Sequence, residues 1–492
     1  MRILLSLLLA IAASLSPVRS YAESDFTLEE ILELGLPVVI INTIDNEEPT
    51  AEYVTHPEGA MGEGITNATK VPGKVVVLSP DSVVIFDSGE YEKKESGMTV
   101  KIRGNTSAYT EKKPYKIKLQ KKGDMLARGD KKFNDKNWVL IKSHRLKNWI
   151  GNRIGEFLEH PWVPAGMFVN VIFNDDYRGL YILQESIERN EKCRINVAED
   201  GFVMEHDPYW WNEDGAYLES AQHPRYNFTF KYPDYEDADT EHLASIHDIL
   251  KLYDASIEDG TYPDVIDVDS FANWVLGQDI LGTGDGGGVN WYIIKNSLSD
   301  DSLLQCGPMW DFDSSEQKTD EFSRIHEGRF GKFFNNSNQA FTRAYVKRWD
   351  DIKEAVIQKT DSLIKDLKDP KWRAYDKSVS YDNKRWKSYE PSSLAVFNRV
   401  KKFYDDRFVW LENNINLLRG IETNVEEVTT AESFYKFDGD LLISSSDIDF
   451  ISVTGIDGST FFCGSLPSDE ALRLPSGFWI VRTEGHSQKI IL

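Results

Sequence analysis

Gly284-Asp285-Gly286-Gly287-Gly288-Val289-Asn290-Trp291-Tyr292-Ile293-Ile294, followed by Gly307-Pro308-Met309-Trp310-Asp311-Phe312-Asp313, is the stretch on which the fold turns. A glycine-rich turn runs into a β-branched and aromatic segment that reads as a strand. A second strand before Trp310 completes a strand pair near 291–310. Asp285 and Asn290 stand five positions apart. That span lets one side chain face an acceptor hydroxyl while the other faces a metal ion. Asp311 and Asp313 then offer hard oxygen ligands. Magnesium takes one or two protein carboxylates, with phosphate oxygens and water completing its shell. Asn290 and Asp311 would suffice, with Asp313 as a second carboxylate.

Asp-x4-Asn, a strand pair and an Asp-Phe pair follow one another in the order of a protein-kinase catalytic segment. There the first Asp accepts the proton of the substrate hydroxyl, and the Asn and second Asp hold metal. Each half has a plainer reading. An Asp-x4-Asn pair arises often by chance, the three glycines can be an ordinary turn, and Trp310-Asp311 can open a capped helix. Both halves in this order, after a strand-rich first half, favour phosphoryl transfer.

Working upstream, Val100-Lys101-Ile102-Arg103-Gly104-Asn105-Thr106-Ser107 and Lys113-Pro114-Tyr115-Lys116-Ile117-Lys118-Leu119 read as a strand, a loop with small hydroxyl residues and a return strand. Such a loop can offer backbone N–H groups to phosphate. Lys116 and Lys118 fall on one face of the return strand and can act as point charges on the same phosphates. A hairpin with a basic face is an equal alternative. Further strands are expected at 36–42, 74–78, 83–87, 136–141, 168–173 and 180–184, with Asn174-Asp175-Asp176 as a hairpin turn. Helices are expected at 26–35, 146–158, 239–256, 269–281, 340–368 and 392–419. The expected class is α+β, a divergent two-lobed kinase-like fold with a β-rich N-lobe and a helical C-lobe. Short strands with Gly, Ser and Asp turns over 428–492 predict a small C-terminal β-sandwich.

The Arg103-Gly104-Asn105-Thr106-Ser107 loop with Tyr115-Lys116-Ile117-Lys118 resembles the CotH (spore-coat protein H) family of atypical kinase-like proteins. So do Asn137-Trp138-Val139-Leu140, the run from Val169 to Tyr181 closing with Glu185, Gly201–Asp207, Lys231-Tyr232-Pro233-Asp234 and Trp310–Asp313. The resemblance spans a domain of residues 23–420. It implies transfer of the γ-phosphate of ATP to Ser or other hydroxyls with Mg or Mn. It makes Asp285 the catalytic Asp, Asp311 the main metal carboxylate, and Asn290 and Asp313 its companions. It places Arg103, Lys116 (alternatively Lys118) and Glu185 at the nucleotide, although a buried ion pair explains Glu185 nearly as well. The family often carries an Asp and later an Arg-Asn pair before the first-lobe helix, where this chain has His144 and Gly151-Asn152. Residues 428–492 resemble type IX secretion sorting domains; an ordinary accessory domain is the alternative.

Composition sets the surroundings. Met1-Arg2, the apolar run Ile3–Leu15 and Ser20-Tyr21-Ala22 read as a signal peptide over 1–22. The run is shorter than the roughly 20 apolar residues of a spanning helix. The expectation is an exported protein of the periplasm, cell surface or medium, with no transmembrane segment in its mature chain. A net charge of −24 argues against nucleic acid and anionic membranes as partners. From Lys101 to Lys147, however, fifteen Lys/Arg meet four acidic residues. That excess suits a small anionic ligand, or a solvated basic face. Three cysteines make no disulfide framework. Tyr209-Trp210-Trp211 reads as a sugar platform or, more often, as packing. The expected partner is a protein or glycan acceptor outside the cytoplasm, and the expected state a monomer. An inactive scaffold for surface binding is the chief rival. A glycoside hydrolase using two of Asp285, Asp311 and Asp313 is a third reading.

Overall fold

The computed structural model describes residues 26–419, apart from 61, 214, 221–225, 285–289 and 300. It also describes 435–491 apart from 439–440, 445–446, 456–459, 469, 476–477 and 484–485. The expected signal segment and Asp285 lie outside the described residues.

After a short helix α1 (Leu28–Leu32), ten strands follow: β1 (Val38–Thr43), β2 (Glu52–Thr55), β3 (Glu63–Thr66), β4 (Val71–Leu78), β5 (Val84–Asp87), β6 (Met98–Ile102), β7 (Tyr115–Gly123), β8 (Asp135–Ile141), β9 (Gly166–Phe173) and β10 (Asp176–Glu185). Seven of them close on themselves in the order β1-β9-β10-β8-β7-β6-β4, with β4 returning to β1. β1 joins the ends: it is parallel to β9 and antiparallel to β4. The β-rich half is therefore a closed barrel, and β5 is a flap on β4. Closure removes the sheet edges that an open sheet would leave unpaired.

Side-chain alternation explains the barrel. Met98, Val100 and Ile102 of β6, and Tyr115, Ile117 and Leu119 of β7, are buried in its apolar core. Lys101, Lys116 and Lys118 alternate with them and face outward, since successive residues of a strand point to opposite sides. β9 and β10 meet through Asn174 and Asp175, both with positive φ (49° and 63°). Two-residue hairpin turns demand that geometry, and Asn and Asp tolerate it.

The chain then builds a second sheet from β11 (Phe202–Asp207), β12 (Tyr217–Leu218), β13 (Asn227–Tyr232), β14 (Trp291–Lys295) and β15 (Gln305–Cys306). It packs with the helices α2 (Arg145–Phe157), α3 (Thr240–Asp259), α4 (Val268–Leu281), α5 (Arg329–Phe334), α6 (Ala340–Asp366), α7 (Arg373–Trp386) and α8 (Ser393–Arg419) around one large core. Asp239 and Asp267 cap α3 and α4, each accepting a backbone N–H three residues on. Gly260 and Gly282 end them in the left-handed conformation.

Helix α7 is absent from the sequence expectations, and its sequence explains the omission. Its buried stripe, Tyr375, Ser378, Val379 and Asp382, is half polar. That stripe docks on the barrel. Ser378 accepts from Asn170 at 3.0 Å, and Asp382 accepts from Leu180 N at 3.0 Å and Lys112 at 2.5 Å. Arg145 lies 3.1 Å from the same carboxylate.

The C-terminal residues form a three-stranded sheet, β16 (Tyr435–Asp438), β17 (Leu441–Ser444) and β20 (Ala471–Arg473), and a four-stranded one, β18 (Ile448–Gly455), β19 (Thr460–Leu466), β21 (Phe478–Thr483) and β22 (His486–Ile491). One apolar cluster, including Leu442, Ile451, Val453 and Val481, spans both sheets. Among the described residues no helix is long and apolar enough to cross a membrane, and Cys193, Cys306 and Cys463 are unbridged.

Candidate functional site

A cleft opens between the loop after β6, the end of β8, helix α2 and the residues after β15. Its walls are Arg103, Ser107, Pro114, Ile141, Lys142, Ser143, Asn148, Trp310, Asp311 and Asp313. Arg103 is anchored by its backbone N–H, which donates to Pro114 O at 3.1 Å. Its guanidinium lies 5.9 Å from the Trp310 ring centre. Lys142 is buried and donates to the Thr110 hydroxyl. Burial, with Lys113 nearby, pushes its ammonium down to about 8, against the opposing pull of Asp313 and Glu390. Asp311 is exposed, with φ 60°.

Helix α2 grips the acidic segment from behind. The Lys147 ammonium donates to the carbonyls of Asp313 (2.9 Å) and Ser315 (2.8 Å). Asn148 donates to Asp313 Oδ1 at 3.0 Å. Phe312 is buried against the helix at Gly151, where a Cβ would overlap its ring. Gly151 is therefore required for the close approach. Gly151→Ala should cost about 1–3 kcal/mol, the usual penalty for overpacking, and push Phe312 and its neighbouring carboxylates out of place. Urea unfolding would measure the first effect and metal affinity the second. An unchanged midpoint would show that the helix does not hold this ring.

The acidic segment is also laced to the residues that lead into Asp285. Gly284 N donates to Ser314 O at 2.9 Å, Glu316 N to Leu281 O at 2.7 Å and Gln317 N to Gly282 O at 3.1 Å. Beneath them Asp279, fully buried on α4, accepts from Ser323 N (2.9 Å), Ser323 Oγ (2.8 Å) and Tyr345 OH (2.7 Å), and pairs with His326 at 2.8 Å. Arg407 donates to the Asp279 carbonyl at 2.6 Å. Burial opposes the Asp279 charge, but His326, Arg407 and the Ser323 N–H outweigh it and hold the carboxyl below its ordinary value.

The cleft unites Arg103, Asp311 and Asp313 from the sequence expectations. Asn290, with φ 58°, opens β14 and is not one of its walls. Lys116 lies on the barrel's outer face, paired with Glu188 at 2.9 Å, and Lys118 is exposed. Glu185 is buried in an ion pair with Arg128 at 2.9 Å and accepts from Ala165 N at 3.0 Å. Its surroundings are those of the structural alternative. Lys147-Asn148 stands one turn before Gly151-Asn152 on helix α2, and Asn152 donates to Gln184 at 3.1 Å. Tyr209, Trp210 and Trp211 are half-buried: Gly62 and Gly64 abut Tyr209 and Trp211, and Trp210 lies 4.6 Å from the Tyr217 ring. Lys142, Lys147 and Asn148 escaped the sequence reading. Their one signal was the basic excess between Lys101 and Lys147.

Among the described residues no three His, Cys, Asp or Glu side chains gather as a metal cage. Two carboxylates beside cationic and amide groups nevertheless fit an ion that keeps most of its shell for phosphate and water. A family model described as CotH kinase protein matches residues 100–411, more than half of the chain. No curated protein matches the sequence.

Proposed function

The chain belongs to the CotH kinase protein family, and from that premise we propose that it is an atypical kinase with a two-lobed, kinase-like arrangement. It would transfer the γ-phosphate of ATP to protein Ser/Thr or other hydroxyls. The observation that carries this reading is the shared cleft of Arg103, Asp311 and Asp313, tied by backbone hydrogen bonds to the residues entering the Asp285 loop.

In such chemistry the protein contributes positioning and electrostatics. Asp311 and Asp313, with Asn290, would hold Mg or Mn, which neutralises the charge on the transferring phosphate. Arg103 covers the phosphates from the loop side. Asp285 orients the acceptor hydroxyl and takes its proton. Lys147, Asn148 and Phe312 hold the acidic segment in register. The signal peptide over 1–22 and the acidic net charge suit an exported enzyme acting on a protein or glycan acceptor. The 428–492 region suits a sorting or accessory domain, and a monomer suffices for the site.

One observation favours a second reading. Gly151, packed against the Phe312 ring, stands where the resemblance places an Arg and brings no cation to the phosphates. A kinase-like scaffold that binds at the surface without transfer would tolerate this. Calorimetry of the full chain with ATP and Mg²⁺ or Mn²⁺, beside Asp285→Ala, separates the two. A kinase binds ATP only with metal, and the variant retains binding while losing phosphate transfer to a Ser-rich acceptor. No binding at millimolar ATP with either metal, in folded protein, would leave the scaffold.

A further inference from the structure

We propose that Lys142, at the end of β8, is the side chain that meets the donor's terminal phosphates, the role the sequence suggested for Lys116. The inference rests on the kinase reading and sharpens it.

Lys142 lines the same cleft as Arg103, Asp311 and Asp313. Lys116 and Lys118 do not: the first is engaged by Glu188, and the second is exposed on the barrel. Lys142 is also buried. Among the described residues its hydrogen-bond partner is a neutral hydroxyl, that of Thr110. Asp313 and Glu390 act on it through space, outside ion-pairing distance. A buried cation is costly unless it is paired, so the site favours an incoming anion. A neighbouring pair of metal-competent carboxylates narrows that anion to one that carries a metal ion with it. A di- or triphosphate does so.

The geometry adds a second consequence. Thr110 lies in the loop that begins at Arg103, so Lys142 holds that loop through the Thr110 hydroxyl while Arg103 lines the cleft. An anion between them would exchange the Thr110 contact for charge-assisted hydrogen bonds to phosphate. Such bonds contribute about 1.5–3 kcal/mol, roughly 10- to 100-fold in affinity.

The test uses the full chain with Mn²⁺ and titrates ATP, ADP and AMP by calorimetry. Lys142→Met should weaken ATP and ADP by about 10-fold or more and leave AMP within about 2-fold. Lys142→Arg should restore most of the ATP affinity. A merely structural role would lower affinity for all three nucleotides alike, and that result overturns the proposal. So does full ATP affinity in Lys142→Met while Asp311→Asn loses it, or loss in Lys116→Met alone. In those cases the kinase reading survives. If the wild-type chain binds no nucleotide with Mn²⁺ or Mg²⁺, both fall together.

Discussion

Asp311→Asn is expected to weaken metal-dependent ATP binding on the order of 100-fold and to leave the fold intact. The magnitude follows from the ligand's position. Partners one layer out from a metal commonly cost 10- to 100-fold when removed, so a direct carboxylate ligand should reach at least the upper end. The structural cost should be small. Asp311 is exposed with φ 60°, a left-handed conformation that Asn tolerates as well as Asp does. Its hydrogen bond from Asp313 N is long, at 3.4 Å, and an Asn oxygen can accept it. Calorimetry with ATP and Mn²⁺ measures the loss, and the urea midpoint should stay near that of the wild type. Retained binding would mean that the metal is held elsewhere, and the roles assigned to the 311–313 segment would fall.

Asp279→Ala carries the largest expected cost in stability, about 3–5 kcal/mol, the range for removing one partner of a buried charged network. The substitution leaves His326, Tyr345 and Ser323 without their acceptor and Arg407, which keeps the backbone carbonyl, without the nearby charge. It also loosens the 314–326 segment that clamps Leu281, Gly282 and Gly284. Activity should therefore fall together with stability, although Asp279 lies beneath the cleft. The pH dependence has a definite sign. A carboxyl held below its ordinary value stabilises the fold above that value and loses the contribution as pH falls through the folded-state pKa. The deficit of the variant is then full at neutral pH and shrinks below about pH 4. Urea unfolding at pH 7 and pH 3 checks both statements. An equal deficit at the two values would show that the Asp279 charge is not what holds the segment.

Local periodicity was legible throughout. The alternation of Val100, Ile102, Tyr115, Ile117 and Leu119 marks strands wherever those strands pair, and Asn174-Asp175 marks its turn by conformational preference alone. Long helices with apolar stripes, such as α3, α6 and α8, were equally readable, and α4, buried on nearly every side, was legible from its length and its Asp267 and Gly282 ends. Helix α7 was not, because Ser378 and Asp382 on its buried face are satisfied by Asn170, Leu180, Lys112 and Arg145, groups that lie far away in sequence. Barrel closure was also hidden. It depends on β1 finding β9 and β4 at once, and no pattern within Val38–Thr43 names either partner.

The site divides in the same way. The sequence by itself determined the chemical inventory: Asp285 and Asn290 five positions apart, the Asp311-Phe312-Asp313 segment, an Arg103 beside small hydroxyl residues and a surplus of lysines near it. Spacing along a chain is enough for that, since each motif is short and its geometry local. Only the tertiary structure decided which cation faces the carboxylates. It turned Lys116 to Glu188, sealed Glu185 with Arg128, brought Lys142 and Asn148 to the cleft, and set Lys147 on the carbonyls of Asp313 and Ser315. The direction of a side chain between two packed units depends on burial and on partners from distant segments. Those terms are set only when the barrel, helix α2 and the 311–315 segment meet.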